Sequence, residues 1–327
     1  MAHRIDNLAL HRFVEDCKKD GDSEEVIAKK VEYLVLSPHI YPMNHLLKHM
    51  DSVCAGEFKA IPWPWPQITN VVPSLTPGAV VAFVGGIGAS KSFTVLQCID
   101  FWAKLDVQCC VMTLEGTHAG HMHRMLSQLD DNSDITDLEW CVQNPGEVSK
   151  AMARHHDWLN IVGHSIHCAP LGSVSYMDVL NWIEDKAYSG NRVIVVDPIT
   201  AADPGGPPWE ADRMFMNQVK AYAVKFKISI VIVSHPTKAY AAPSLECIAG
   251  GAAVGRFIDC ALWLQCVEPS EVTVRSCCGR QEMHINRVMH LLKVRDGRGQ
   301  GMKVGMFFDG SCLKLAEQGL IIKEKKG

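Results

Sequence analysis

The run Gly85-Gly86-Ile87-Gly88-Ala89-Ser90-Lys91-Ser92 carries the clearest chemistry in the chain. It follows an apolar stretch, opens a helical pattern, and matches the spacing of the phosphate-binding loop G-x-x-x-x-G-K-[ST]. In such a loop small residues let backbone N–H groups wrap phosphate oxygens, a lysine reaches the outer phosphates and a hydroxyl ligates Mg²⁺. Gly86, Ile87, Gly88, Ala89, Ser90, Lys91 and Ser92 are therefore the expected cradle for ATP, with Ser92 on the metal. The pattern breaks once, at Ser90, which stands where the second glycine belongs and adds a Cβ beside the phosphates. A glycine-rich turn without a ligand would leave Lys91 unexplained, because a helix N-terminus disfavours a cation.

Three further residues end apolar runs. Asp197 closes Val193-Ile194-Val195-Val196, and a carboxylate at a strand's C-terminal edge is suited to hold Mg²⁺ directly or through water. Its bland alternative is a turn-initiating Asp before Pro198. Glu115 closes Val111-Met112-Thr113-Leu114 and would face the same crevice, where it could orient and deprotonate an attacking water. His235 closes Val231-Ile232-Val233-Ser234 and could hydrogen-bond a terminal phosphate, unless it merely starts a turn.

These residues need elements that bring strand ends together. Val80–Val84, Cys109–Leu114, Asn160–His164, Arg192–Asp197 and Ile228–His235 are nearly continuous apolar runs, as expected of strands covered on both faces of a parallel sheet. Amphipathic patterns at Lys91–Ala103, His118–Leu129, Ser173–Tyr188 and Trp209–Phe226 alternate with them, which predicts an α/β fold with a mainly parallel, twisted, doubly wound sheet. After Ile258 the texture turns to strands and tight turns, including Arg295–Gly299 and Asp309-Gly310-Ser311, and predicts antiparallel strands extending the sheet. At the other end, Asn7 is placed to cap a helix over Leu8–Lys18, and Ser23-Glu24-Glu25 precedes a second helical pattern. Ser37 to Pro77, rich in Pro, His and Trp, reads as an ordered connector. Its centre, Pro62-Trp63-Pro64-Trp65-Pro66, fits neither a helix nor a central strand, and its tryptophans are expected to be buried. The expected organisation is residues 1–60 as a small helical arm and connector, and 61–327 as the ATPase domain.

Composition limits the partners. The 327 residues carry 32 Lys+Arg against 36 Asp+Glu, a formal net charge of −4, so bulk charge cannot hold nucleic acid or an anionic membrane and any phosphate-binding surface must be local. With 47 % hydrophobic residues the chain is too apolar for disorder. The N-terminal residues alternate polar and apolar groups, no run approaches the roughly 20 apolar residues of a membrane span, and the 13 cysteines read as reduced thiols in a cytoplasmic protein. Cys277, Cys278, His284 and His290 lack the paired C-x₂-C knuckle of a structural zinc site.

Gly86–Ser92, the strand ending in Glu115, Asp197, Ser234-His235-Pro236-Thr237-Lys238 and Lys293-Val294-Arg295 occur in the order seen in hexameric replicative helicases. Over about residues 60–315 the chain resembles their RecA-like P-loop core, in the branch of the mitochondrial Twinkle helicase and the T7 phage primase-helicase, with bacterial DnaB more distant. The resemblance implies Glu115 as catalytic base, Asp197 in support of Mg²⁺ and His235 as the group that senses the γ-phosphate. It also implies that Arg295, assisted by Lys293, reaches the ATP of a neighbouring subunit in a homo-hexameric ring. A planar guanidinium is well suited to stabilise charge on a γ-phosphoryl oxygen. Single-stranded DNA would be met by two channel loops, here Thr200–Asp212 and Lys238–Gly251, where Lys238 and the amides of Gly250 and Gly251 are the expected contacts. The first loop has three acids and no Lys or Arg, which argues for a different class, a RecA-like loader or regulator such as a plasmid or phage partner protein or a KaiC-like switch. A third reading, a nucleotide-binding scaffold without hydrolysis, requires Glu115 to face away from the crevice. Primase or other replication proteins are the implied partners of a helicase, since the sequence shows no primase domain.

Overall fold

A computed structural model describes residues 7–36, 42–170, 172–238 and 242–322. Residues 1–6 of the arm, 37–41 of the connector, 239–241 of the second loop and the charged end Lys323–Gly327 lie outside them. The chain divides into two compact units, Met1–Lys59 and Ala60–Gly327.

The first unit holds α1 (Asn7–Lys19), α2 (Glu24–Leu36) and α3 (Pro42–Cys54). Cys17 and Ile27 are buried between the first two helices, and Lys30 pairs with Asp22 beside the turn that joins them. Asn7, the expected cap of the first helix, is the first of its described residues. The third helix corrects the reading of this stretch as connector. Proline at the first helical position is compatible with a helix start, so Pro42 did not exclude one.

The second unit runs α4 (Pro66–Val71), β1 (Val80–Gly85), α5 (Lys91–Lys104), β2 (Cys109–Thr113), α6 (His118–Leu129), α7 (Leu138–Gln143), α8 (Pro145–Gly163), β3 (Ile166–Cys168), α9 (Tyr176–Tyr188), β4 (Val193–Asp197), α10 (Pro208–Phe226), β5 (Ser229–Ser234), α11 (Gly251–Phe257), β6 (Cys260–Ser276), β7 (Gly279–Val294), β8 (Lys303–Asp309) and β9 (Lys314–Ile321). One sheet contains all nine strands in the order β3-β2-β4-β5-β1-β6-β7-β8-β9. Pairings from β3 to β6 are parallel, whereas β6–β7, β7–β8 and β8–β9 are antiparallel, as the change of texture after Ile258 predicts.

Every residue of β1, β2, β4 and β5 is buried, which explains their unbroken apolar sequences. Alternate residues serve two cores: Val81 and Phe83 join Leu96, Ile99 and Trp102 of α5, while Val80, Ala82 and Val84 join Ile183 of α9 and Phe215 and Val219 of α10. The proline-rich run is fastened to the first core by its tryptophans. Trp63 donates to Ser74 Oγ at 3.1 Å and Trp65 to the Leu315 carbonyl at 2.8 Å, and Trp102 of α5 reaches back to the Pro62 carbonyl at 2.8 Å.

One predicted strand is absent. Residues 160–164 are the last turn of α8 and the residue after it, and the strand is the three-residue β3. A short apolar run has no period of its own, and here the helix begun at Pro145 extends through Ile161 and Val162. Elsewhere the boundaries shift modestly: α9 begins at Tyr176, capped by Ser175 in a reciprocal box with Asp178, and α10 begins at Pro208.

Candidate functional site

Strand order makes the site. Because β1, β5, β4 and β2 are successive parallel neighbours, their C-terminal ends line one edge, and the residues that follow or end them are the Gly86–Ser92 loop, His235, Asp197 and Glu115. A cavity of about 580 Å³ opens there, lined by residues 87–93 together with Glu115, Arg124, His235 and Pro236. That volume lies within the range of small-molecule and cofactor sites.

Gly85 must be glycine: a Cβ there would lie 2.8 Å from the Leu264 carbonyl of β6. Ser90 occupies the left-handed region at φ 71°, the conformation in which glycine carries no steric cost. Its hydroxyl compensates in part, accepting from Arg287 Nη2 of β7 at 3.3 Å. The buried Lys91 ammonium lies 2.8 Å from the Gly85 carbonyl, 3.0 Å from that of Gly86 and 3.2 Å from His235 Nδ1. As the lysine donates, Nδ1 accepts, which leaves the proton of the neutral imidazole on Nε2. Burial, and then the Lys91 charge, hold the His235 pKa below the usual histidine range. Burial likewise lowers that of Lys91, against the pull of Asp197 and Glu115.

Asp197 is fully enclosed at the end of β4. Desolvation raises its pKa to about 6, opposed by a hydrogen bond from Ser92 and by the charge of Lys91. A hydroxyl beside a desolvated carboxylate, next to a lysine, is an oxygen donor set suited to Mg²⁺. Buried carboxylates without a compensating cation are rare, so residue chemistry and burial both fit an ion carried in with phosphate. Glu115 stands on the cavity wall, the orientation that a scaffold without hydrolysis would not need. The Leu114 N–H donates to the Asp197 carbonyl at 2.8 Å, and His121 Nε2 lies 2.9 Å from the Glu115 carbonyl, so the turn carrying Glu115 is held from both sides.

Several residues of this region had no signature in the sequence. Arg124 lies over the Phe93 ring and Arg287 over the Phe308 ring, and the two phenylalanines meet at 5.9 Å. Cys266 Sγ lies 3.5 Å from the Gly88 carbonyl. These groups come from α5, α6, β6, β7 and β8, so only the sheet brings them together.

Lys293 and Arg295 lie elsewhere. Arg295 donates its backbone N–H to the Asp259 carbonyl, and Asp259 in turn bonds Val80 at the start of β1, whereas the phosphate loop follows the end of that strand. The six residues between span about 20 Å, so Arg295 is remote from its own chain's phosphate loop. Lys293 caps the last turn of α11 and the residue beyond, donating to the Gly255 and Ile258 carbonyls at 2.9 and 2.7 Å. Lys238 is exposed beyond β5. Gly250 is fitted to its own fold, with φ 89° and a Cβ that would meet Val254 at 2.6 Å, and the Gly251 N–H is spent on the Ile248 carbonyl at 2.9 Å. Cys277 and Cys278 sit in the β6–β7 turn, while His284 packs on Phe307 and His290 bonds Gln265. Among the described residues no cluster of three or more His, Cys, Asp or Glu gathers to hold a metal, and no helix is long and apolar enough to cross a membrane.

Comparison with solved structures finds the same fold in an ATPase domain and in a replicative helicase. One solved ATPase domain superposes with a TM-score of 0.62 at 11 % identity, over 83 % of this chain and 96 % of that one. A DnaB-like replicative helicase, in a structure described with its interactions with primase, superposes with a TM-score of 0.63 at 11 % identity, over 95 % of this chain and 75 % of that one. No family model and no curated protein matches the sequence. At that identity the likeness is one of fold, a RecA-like α/β core.

Proposed function

We propose that the chain is an ATP-hydrolysing motor of the ring-forming helicase type, which translocates on single-stranded DNA and hydrolyses ATP between neighbouring copies. One observation carries the reading: Lys91, Ser92, Glu115 and His235 line one cavity, with Asp197 enclosed behind Ser92 and Lys91, while Arg295 is exposed at the opposite edge of the sheet. Arg124 lies on the cavity wall of its own chain, whereas Arg295 cannot reach that chain's loop, and in this reading it serves the site of a second copy.

In this reading the amides of residues 86–92 bind the phosphates and Lys91 leaves the Gly85 and Gly86 carbonyls for phosphate oxygens. Ser92 and Asp197 hold Mg²⁺, which when bound neutralises phosphate charge. Glu115 accepts the proton of the attacking water. His235, already against Lys91, is placed to report whether a terminal phosphate is present. Arg295 stabilises charge on the neighbour's γ-phosphate, and Lys293 keeps α11 and the end of β7 in register. Lys238 and the Gly250 amide meet DNA, while the Gly251 N–H keeps its bond to the Ile248 carbonyl. A homo-hexamer is the proposed assembly, in a reducing cytoplasmic setting. Primase is the proposed partner, because the DnaB-like helicase of similar fold is described with it.

ATP hydrolysis by the full chain is expected to rise severalfold on adding single-stranded DNA, and negative-stain images with ATP and DNA are expected to show rings. Hydrolysis indifferent to any nucleic acid would overturn the helicase reading. It would favour a RecA-like loader or regulator, for which the acidic first loop speaks: Asp203 is tied into its own turn by the Gly205 N–H and Asp212 accepts from the Tyr176 hydroxyl.

A further inference from the structure

Asp259 joins four elements at the sheet edge opposite the phosphate loop. Its N–H donates to the Val80 carbonyl at 2.7 Å and its Oδ2 accepts from the Val80 N–H at 2.8 Å, which pins it to the start of β1. Its carbonyl accepts from the Arg295 N–H at 2.9 Å and its Oδ1 from Arg295 Nη1 at 2.7 Å. Lys220 of α10 completes the set, with Nζ at 2.6 Å from Oδ2 and 2.8 Å from the Gly78 carbonyl. The carboxylate is buried and the Arg295 side chain is 49 % exposed. A guanidinium offers five N–H donors in a rigid plane, and Asp259 engages it through Nη1, so donors on the other edge remain for an anion.

We propose that Asp259 is the positioning residue of Arg295, presenting its guanidinium to the nucleotide of a neighbouring copy, and that Lys220 ties this carboxylate to α10. The proposal rests on the ring-motor reading, in which Arg295 acts in trans. Geometry at both the backbone and the side chain of Arg295 fixes where the guanidinium leaves the sheet. A flexible arginine on a turn would have no such constraint. Because α10 follows the loop after Asp197, the Lys220–Asp259–Arg295 chain also connects that loop's helix to the finger.

The test uses Asp259→Asn in the full chain, which keeps an acceptor for the Val80 N–H but loses the charge. ATP turnover of the assembled protein is expected to fall on the order of 10²-fold with nucleotide binding and ring formation intact. A mixing experiment separates positioning from mere structural support. Lys91→Ala subunits have a dead phosphate loop and a sound finger. Mixed with Arg295→Ala subunits they form some interfaces in which an intact loop meets an intact finger. If Asp259 acts only through the finger, Asp259→Asn subunits recover activity in that mixture as fully as Arg295→Ala subunits do. Recovery with Arg295→Ala but not with Asp259→Asn, or full activity of Asp259→Asn alone, overturns the proposal and leaves the motor reading standing. No recovery in either mixture overturns the trans role of Arg295, and the proposal with it. Should Asp259→Asn not fold, Asp259→Glu, which keeps the charge and moves it by one methylene, carries the same mixing test.

Discussion

Ser90 bends the chain into a conformation that costs a non-glycine residue about 1–2 kcal/mol, at the point where the phosphates would sit. Ser90→Gly is therefore expected to bind ATP at least as tightly as the natural chain, since it relieves the left-handed turn and loses only a 3.3 Å contact to Arg287. Calorimetric titration checks this, and tenfold weaker binding would show that the hydroxyl itself serves the ligand. Asp197 has the opposite character, a carboxylate whose burial costs stability. Its pKa in the fold, about 6, exceeds its unfolded value, so the cost is fully present above pH 6 and fades as pH falls toward 4. It amounts to something on the order of 3 kcal/mol at neutral pH. Asp197→Asn is thus expected to melt higher than the natural chain at pH 7.5 without nucleotide, with the difference lost by pH 4, while its hydrolysis is abolished. A lower melting temperature at pH 7.5 would mean that Lys91 and Ser92 outweigh the desolvation. Glu115→Gln is expected to leave ATP binding unchanged and to slow hydrolysis about 10²–10⁴-fold, read by single-turnover assay. The types and order of these residues were legible in the chain. The pKa of Asp197 and the Lys91–His235 contact were not, because both depend on what the sheet buries.

At the scale of elements, the strands that carry the site were the easiest to read and the segments far from it the hardest. Val80–Gly85 and Val193–Asp197 are covered on both faces, so apolarity alone marks them. Residues 160–163 end a helix instead, in which Val162 is buried and Ile161 exposed, so two adjacent apolar residues did not mark a strand. The connector shows how an irregular segment becomes structural. Its proline-fixed backbone presents Trp63 to Trp102 of α5, the helix that begins at Lys91, with Trp65 stacked on Trp63. Trp102→Ala is expected to lower stability by about 3–5 kcal/mol in urea unfolding and, by loosening the helix behind the phosphate loop, to weaken ATP binding as well. Loss of stability with unchanged affinity would show that the N-terminal turn of α5 is held by the sheet alone.

For the molecule as a whole, a net charge of −4 and loops with few cations make any grip on DNA a matter of a few contacts per copy, multiplied by assembly. The affinity for single strands is expected to depend weakly on salt, with a log–log slope of about −0.7 for each phosphate contact, and Lys238→Ala is expected to flatten it further. A steep slope left unchanged by that substitution would place the DNA surface elsewhere.

By itself the sequence determined residue types and their order: a loop with the spacing of a phosphate loop, two strand-end carboxylates and a histidine, on an α/β chain whose apolar runs demand a covered parallel sheet. Those are local properties, written in residue type and spacing. The tertiary structure alone decided that β1, β5, β4 and β2 lie side by side, so that four distant strand ends gather at one edge, and that Arg295 comes to rest on Asp259 at the far edge. Strand order and edge depend on which surfaces bury one another across the whole chain, and spacing along the chain carries no record of that.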